Sequence, residues 1–73
     1  MTAKEMFEKL GYKQNIISNI INYTNEKERS VIQFTTDCTG NSIYVNLDGA
    51  AISIEEYRAI NKQVSELGWN KED

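Results

Sequence analysis

The sequence predicts one α+β domain over residues 1–73, a two-layer sandwich with the order α-β-β-β-α. Two observations predict it. A capped amphipathic segment stands at each end of the chain, and three segments between them alternate apolar and polar residues. Short turns make the three strands an antiparallel meander, and both helices must bury an apolar stripe. Packing both helices on the same face of the sheet satisfies that need.

The C-terminal helix has the clearest signals. Ser53 and Glu56 have the spacing of a capping box, in which each side chain accepts from the other residue's backbone N–H. Gly68 ends the helix because glycine adopts the left-handed conformation at little cost, and Trp69 then folds back toward Val64. The apolar stripe predicted to face the sheet recurs at spacings of three, four and three: Tyr57, Ile60, Val64 and Leu67.

The N-terminal helix repeats this pattern over a shorter length. Thr2 and Glu5 form a second capping-box pattern, and Gly11 ends the helix. Tyr12 then has the position from which its side chain can pack against Phe7. The residues of its apolar stripe are Ala3, Met6, Phe7 and Leu10.

Three strands are predicted, at residues 19–24, 29–37 and 42–47, with turns at residues 25–28 and 38–41. Residues 13–18 form a lead-in without an assigned structure. A further turn at Asp48 and Gly49 leads into the last helix. The helix-facing side of the sheet is predicted to carry Ile21, Ile32, Phe34, Ile43, Val45 and Leu47.

The opposite side of the sheet is a candidate partner-binding face. Tyr44 lies near its centre, where an exposed aromatic side chain is a typical hot spot for protein binding. Two interpretations remain open: a binding surface, or a polar face that meets only water. The partner would be an unidentified protein or a second copy of the chain, joined through this face or an edge strand. The predicted face consists of Ile20, Asn22, Thr24, Val31, Gln33, Thr35, Tyr44 and Asn46.

No motif indicates an enzyme, and we expect none. The chain has no histidine, the usual general base and commonest metal ligand, and its single cysteine, Cys38, lies in a polar turn without a cationic neighbour. Phosphate loops, nucleophile elbows and metal-ligand spacings are missing, so neither a cofactor nor a metal is expected. Glu55 and Glu56, the adjacent carboxylates, are explained by helix capping.

Nucleic-acid binding is the alternative function. The order α-β-β-β-α is that of the double-stranded RNA-binding domain, which contacts phosphates through lysines at the start of its last helix. Here Glu55 and Glu56 occupy that place, and the net charge is −3, so the chemistry disfavours a duplex. The remaining possibility is a hairpin contact through Lys27 and Arg29.

The chain carries no signal for a membrane. No apolar run approaches the ~20 residues that cross a bilayer, and residues 1–10 lack the basic-then-apolar order of a signal peptide. We therefore expect a cytoplasmic protein.

The two ends also resemble a family. TAKEMFEKLGY and ISIEEYRAINKQVSELGW are similar to the termini of small, mostly uncharacterised proteins encoded by phages and prophages of low-GC Gram-positive bacteria. In that family, (K/A)-E-M-F-E-x-L-G-Y and I-(T/S)-x-E-E-x-x-A-I-N-K-Q-x-x-E-L-G-W bracket a variable strand-rich middle. The resemblance covers about thirty of the 73 residues. It implies an accessory role in the bacterial host cytoplasm, and it carries over no catalytic residue.

Overall fold

A computed structural model describes residues 1–71 of the chain. Its fold is α+β, as predicted, but its antiparallel sheet has four strands where three were expected. The predicted order α-β-β-β-α is therefore corrected to α-β-β-β-β-α. The elements are α1 (Ala3–Lys9), β1 (Lys13–Ile17), β2 (Ile20–Asn25), β3 (Ser30–Asp37), β4 (Gly40–Asn46) and α2 (Ile54–Glu66).

The additional strand is β1, which lies in residues 13–18, the segment to which the sequence analysis assigned no structure. It pairs antiparallel with β2, and the pair Ile17–Ile20 closes a hairpin around Ser18 and Asn19. Ser18 has a positive φ of 54°. Hairpin turns of this length need such a conformation, and glycine or asparagine usually supplies it. A turn with serine in that position lacks the common signal.

The sheet is a simple meander in the order β1-β2-β3-β4. Its register places Ile21, Phe34 and Ile43 in one cross-strand row, so the predicted helix-facing side of β2, β3 and β4 is confirmed. Ile32 and Phe34 on β3 are buried, whereas Ile43 and Val45 on the edge strand β4 are 40% and 41% exposed. The two helices therefore leave the helix-facing side of β4 partly uncovered.

Both helix ends follow the predicted chemistry. Thr2 with Glu5 and Ser53 with Glu56 form complete capping boxes. At the C-terminal ends, the N–H of Tyr12 donates to the carbonyl of Phe7 at 3.0 Å. In α2 the N–H of Trp69 donates to the carbonyl of Val64 at 3.1 Å. These are the long bonds of two Schellman motifs, and each requires the glycine that precedes the aromatic residue.

The buried face of α2 differs from the predicted stripe. Ala59 and Gln63 are its buried residues, Ile60 and Val64 are half-buried against the core, and Tyr57 and Leu67 are exposed. The prediction failed because it counted only large apolar residues. The small Ala59 is fully buried in the core cluster, where a larger stripe residue was expected. The polar Gln63 can be buried since its side chain accepts a hydrogen bond from the hydroxyl of Tyr23 at 2.5 Å.

Aromatic rings fill the space between the layers. Phe7 of α1 stacks on Tyr23 of β2, with ring centroids 4.0 Å apart, and Tyr12 and Phe34 meet Phe7 edge-on. Because Tyr23 contacts α1 through Phe7 and α2 through Gln63, both helices lie on the same side of the sheet. The other side is left to solvent.

Candidate functional site

The side of the sheet that faces away from the helices carries the predicted binding residues. Its register arranges twelve side chains in three rows that cross all four strands, and we call this set the outer face. The rows are Lys13, Thr24, Val31 and Asn46; Asn15, Asn22, Gln33 and Tyr44; and Ile17, Ile20, Thr35 and Ser42.

All eight predicted residues belong to the outer face, but they are not all neighbours. Asn22, Gln33 and Tyr44 stand directly opposite one another in the middle row. Val31 and Asn46 are paired in the row on one side, and Ile20 lies in the row on the other. The arrangement is thus an amide and tyrosine row between two flanking rows, the last of which is apolar at its β1–β2 end.

The fourth strand adds residues that the sequence interpretation missed. β1 contributes Lys13, Asn15 and Ile17, and Ile17 is 60% exposed beside Ile20. The repeated isoleucine pairs on both sides of Ser18 and Asn19 were the available signal. Two apolar pairs separated by two turn-forming residues are typical of a hairpin. The face is one strand wider as a result, and it gains an exposed apolar pair.

The middle row has an unsatisfied acceptor. The Oδ1 atom of Asn22 is buried, yet no residue of the described chain 1–71 donates a hydrogen bond to it. A buried carbonyl oxygen without a donor costs roughly 1–3 kcal/mol. Beside it, Tyr44 is 54% exposed, and its hydroxyl accepts a long hydrogen bond of 3.4 Å from the amide of Asn46.

The chemistry of the outer face suits binding. The face combines amides, hydroxyls and three aliphatic side chains with one tyrosine, Tyr44, which lies on the edge strand β4. Lys13 is the single charged residue among the twelve. Such a surface can offer hydrogen bonds and apolar contact together. It contains no paired acid and base, so its residues supply contacts and no catalytic pair.

At the hairpin suggested for nucleic acid, Arg29 forms a solvent-exposed ion pair with Asp48 of the same chain. This hairpin, β2–β3, is the second in the structure. Nε of Arg29 lies 2.9 Å and its terminal nitrogen 2.8 Å from the Oδ2 atom of Asp48. Arg29 also adopts a positive φ of 55° in the turn. The fourth strand further separates the fold from the three-stranded order of the double-stranded RNA-binding domain.

A cleft of about 280 Å³ lies between the end of α1 and the start of α2. One of its lining residues, Glu56, accepts a hydrogen bond from the hydroxyl of Tyr12 at 2.6 Å. Burial, together with that bond, raises the pKa of Tyr12 to about 12. Burial also opposes the charge on Glu56, but hydrogen bonds from Tyr12 and Ser53 outweigh it and hold the pKa of Glu56 below its ordinary value. These hydrogen bonds connect the residue that follows α1 to the first turn of α2, so we assign them a structural role.

Three further features of the described residues bear on a site. Within residues 1–71, neither helix has the length and apolar character needed to cross a bilayer. No three acidic, cysteine or histidine residues of that same part of the chain gather as a metal site. Cys38 is exposed in the turn between β3 and β4.

Comparison of the chain with models of known protein families, with curated proteins and with solved structures gives no match. A proposal for the function therefore depends on the geometry and composition of the outer face.

Proposed function

We propose that this protein acts by binding another protein non-covalently through its outer face. In this proposal it is a small accessory protein of a phage or other mobile element, working in the cytoplasm of a bacterial host. An inhibitor or adaptor acting on a host factor is the concrete form. The resemblance of the two chain ends to phage-encoded proteins supports the setting, and the outer face supports the mode of action.

The single observation behind the proposal is the composition of the uncovered sheet side. Both helices pack on the opposite side of the sheet, which leaves Ile17 and Tyr44 more than half exposed on a face that also carries several asparagine and glutamine side chains. Tyrosine combines a large apolar area with one polar atom and loses little side-chain entropy on binding, so it is frequent at the centre of protein interfaces. In the same row, the Oδ1 atom of Asn22 accepts no hydrogen bond from the described residues 1–71.

Charge argues for a protein partner over a nucleic acid. Phosphate binding depends on several lysine or arginine side chains that are free to meet the backbone of the nucleic acid. The outer face offers Lys13, and of the two hairpin cations, Lys27 and Arg29, the second is paired with Asp48. A partner with neutral hydrogen-bonding groups and an apolar pocket for Tyr44 fits this surface better.

A matched pair of tyrosines provides the test. Tyr44 and Tyr57 are 54% and 56% exposed, but Tyr44 is on the outer face and Tyr57 on α2. Tagged wild-type protein would be used to capture partners from host lysate, and the affinity of the captured protein would then be measured directly. We expect Tyr44→Ala to weaken binding about thirtyfold and Tyr57→Ala to leave it nearly unchanged.

A second variant separates the face from the edge of the sheet. Gln33 lies on the inner strand β3, so Gln33→Ala changes the outer face without touching either edge strand. It should also weaken the interaction. Equal binding by all three variants would contradict the proposal, as would a salt-dependent gel shift of duplex DNA or RNA by the wild-type protein.

A further inference from the structure

The last strand, β4, is an edge of the sheet with an open backbone. It forms hydrogen bonds with β3 on one side, and no other strand of the described chain lies on its other side. In an antiparallel sheet, alternate residues of such a strand point their N–H and C=O groups away from the sheet. An edge of this kind is a template for another strand unless something blocks it.

None of the usual protective features is present on β4. The seven residues GNSIYVN include no charged residue and no proline, and the strand pairs with β3 without interruption from Asp37–Gly40 to Val31–Asn46. Natural proteins protect exposed edges with lysine, proline, bulges or very short strands. The unprotected state of β4 favours a strand partner.

The helices also leave the apolar side chains of β4 partly exposed to solvent. Ile43 and Val45 point to the helix-bearing side next to Phe34 and Ile32, which are buried, yet both remain about 40% exposed. The helices therefore stop short of β4. In an antiparallel pair of β4 strands centred on Ile43, the two Ile43 side chains would lie side by side on this side of the sheet and cover part of the exposed apolar area.

The opposite edge, β1, is less suited to the same pairing. It has five residues against seven, and it begins with Lys13, a charged residue of the kind that protects edges. In addition, α1 packs against β1. Ile16 and Ile17 are exposed on this strand, so it provides a control of similar apolar character.

We propose that two copies of this chain form a dimer by antiparallel pairing of their β4 strands. A two-fold axis perpendicular to the sheet and passing midway between the two copies of Ile43 pairs all seven residues. Ile43 then meets its own counterpart, and Ser42 of each copy meets Tyr44 of the other. The two four-stranded sheets become one sheet of eight strands, with both pairs of helices on the same side.

Self-pairing suits β4 for two reasons. The strand is uncharged, so two copies can align without like charges meeting, although the chain as a whole carries a net charge of −3. The two-fold arrangement also closes after two copies, which avoids the open filaments that β1-to-β4 pairing would produce. The dimer does not depend on the proposed function, but it would join two outer faces into one surface.

The association is tested by sedimentation equilibrium of the full chain from micromolar to millimolar concentration. We expect a monomer–dimer equilibrium for the wild type and, for Ile43→Lys, dissociation at least about tenfold stronger, since two lysines would meet at the axis. Ile16→Lys, the matched change on β1, should leave the equilibrium unchanged. Val31→Lys, on the outer face of β3, should also leave it unchanged. Circular dichroism would confirm that each variant is folded.

Amide hydrogen exchange supplies an independent measurement on the wild type. Alternate amides of β4 should exchange slowly at high concentration and become fast on dilution, while the amides on the open side of β1 stay fast throughout. A monomer up to millimolar concentration would overturn the proposal. Loss of the dimer in Val31→Lys would overturn it by assigning the contact to the outer face, and loss in Ile16→Lys by assigning it to β1.

Discussion

The hydroxyl of Tyr12 donates a 2.6 Å hydrogen bond to the carboxylate of Glu56, 44 residues away in the sequence. Tyr12 closes the Schellman motif that follows α1, and Glu56 is the capping-box residue in the first turn of α2. One carboxylate thus caps its own helix through Ser53 and anchors the end of the other helix. Two local signals that the sequence shows separately are joined in a single contact.

Removal of this hydroxyl should destabilise the protein and change its response to pH. We expect Tyr12→Phe to lower the free energy of unfolding at pH 7 by roughly 1.5–3 kcal/mol, because Glu56 loses a charge-assisted hydrogen bond. The pKa of Glu56 is depressed in the folded state, so this contribution is present above the ordinary glutamate pKa and is lost as the pH falls through the folded value. Denaturant titrations at pH 7 and pH 3 should show the difference between wild type and variant shrinking in acid.

The same tyrosine predicts a loss of stability in base. The pKa of Tyr12 is raised from 10.0 to about 12, so its stabilising contribution is complete below pH 10 and is lost as the pH rises from 10 to 12. Wild type should therefore lose stability more steeply than Tyr12→Phe over that range. Tyr44→Phe, a change at an exposed tyrosine, serves as the control. An unchanged slope in Tyr12→Phe would show that the hydroxyl is not held as described.

The two helix-ending glycines should differ in their tolerance of alanine. Gly11 and Gly68 both have positive φ, of 95° and 75°, so each alanine variant carries about 1–2 kcal/mol of left-handed strain. A Cβ atom at Gly68 meets open space, but one at Gly11 would lie 3.0 Å from the amide nitrogen of Asn25. That amide donates to the carbonyl of Leu10, and its oxygen accepts from the N–H of Glu28.

Gly11→Ala should therefore cost about 1 kcal/mol more than Gly68→Ala, because the Asn25 side chain must move and weaken its bonds. Thermal or urea unfolding of the two variants would measure the difference. The double change Gly11→Ala with Asn25→Ala should show less than the sum of the two single costs. Equal costs for the two glycines would mean that the contact with Asn25 has no energetic weight.

The buried pair of Gln63 and Tyr23 should be strongly coupled. Gln63→Leu leaves the buried hydroxyl of Tyr23 without its acceptor, which should cost roughly 1–3 kcal/mol. Tyr23→Phe leaves the Gln63 amide oxygen unpaired at a similar cost, while Gln14, which donates to Tyr23, is partly exposed and can turn to water. The double variant should be more stable than the sum of single losses predicts. Additive losses in urea unfolding would contradict a direct bond.

The local features of the fold were predictable because their causes are local. Capping boxes and glycine ends depend on side chains within six residues of one another, so both helices were placed correctly. The alternation of β3 also fixed which of its residues face the helices, since a shift by one residue would bury Gln33 and expose Phe34.

The features that were missed depend on contacts distant in sequence. β1 was overlooked because its hairpin has Ser18 in the position where glycine or asparagine is usual, which weakens the signal that the isoleucine pairs on either side provide. The rotation of α2 was missed because Gln63 becomes a core residue through a tyrosine forty positions earlier. The part of the outer face on β2, β3 and β4 was predicted from the alternation of residues alone, and the binding role assigned to it stays a prediction.

The corrected orientation of α2 makes a final prediction. Ala59 is fully buried where α2 meets the core, whereas Tyr57, two residues earlier, is more than half exposed. We expect Ala59→Leu to cost about 1–3 kcal/mol by overpacking, and Tyr57→Ala to change stability by less than about 0.5 kcal/mol. Urea unfolding of both variants would test this, with helix content followed by circular dichroism, because both changes are compatible with a helix. If Tyr57→Ala were the costlier change, α2 would present the face predicted from sequence, and the pairing of Gln63 with Tyr23 would have to be abandoned with it.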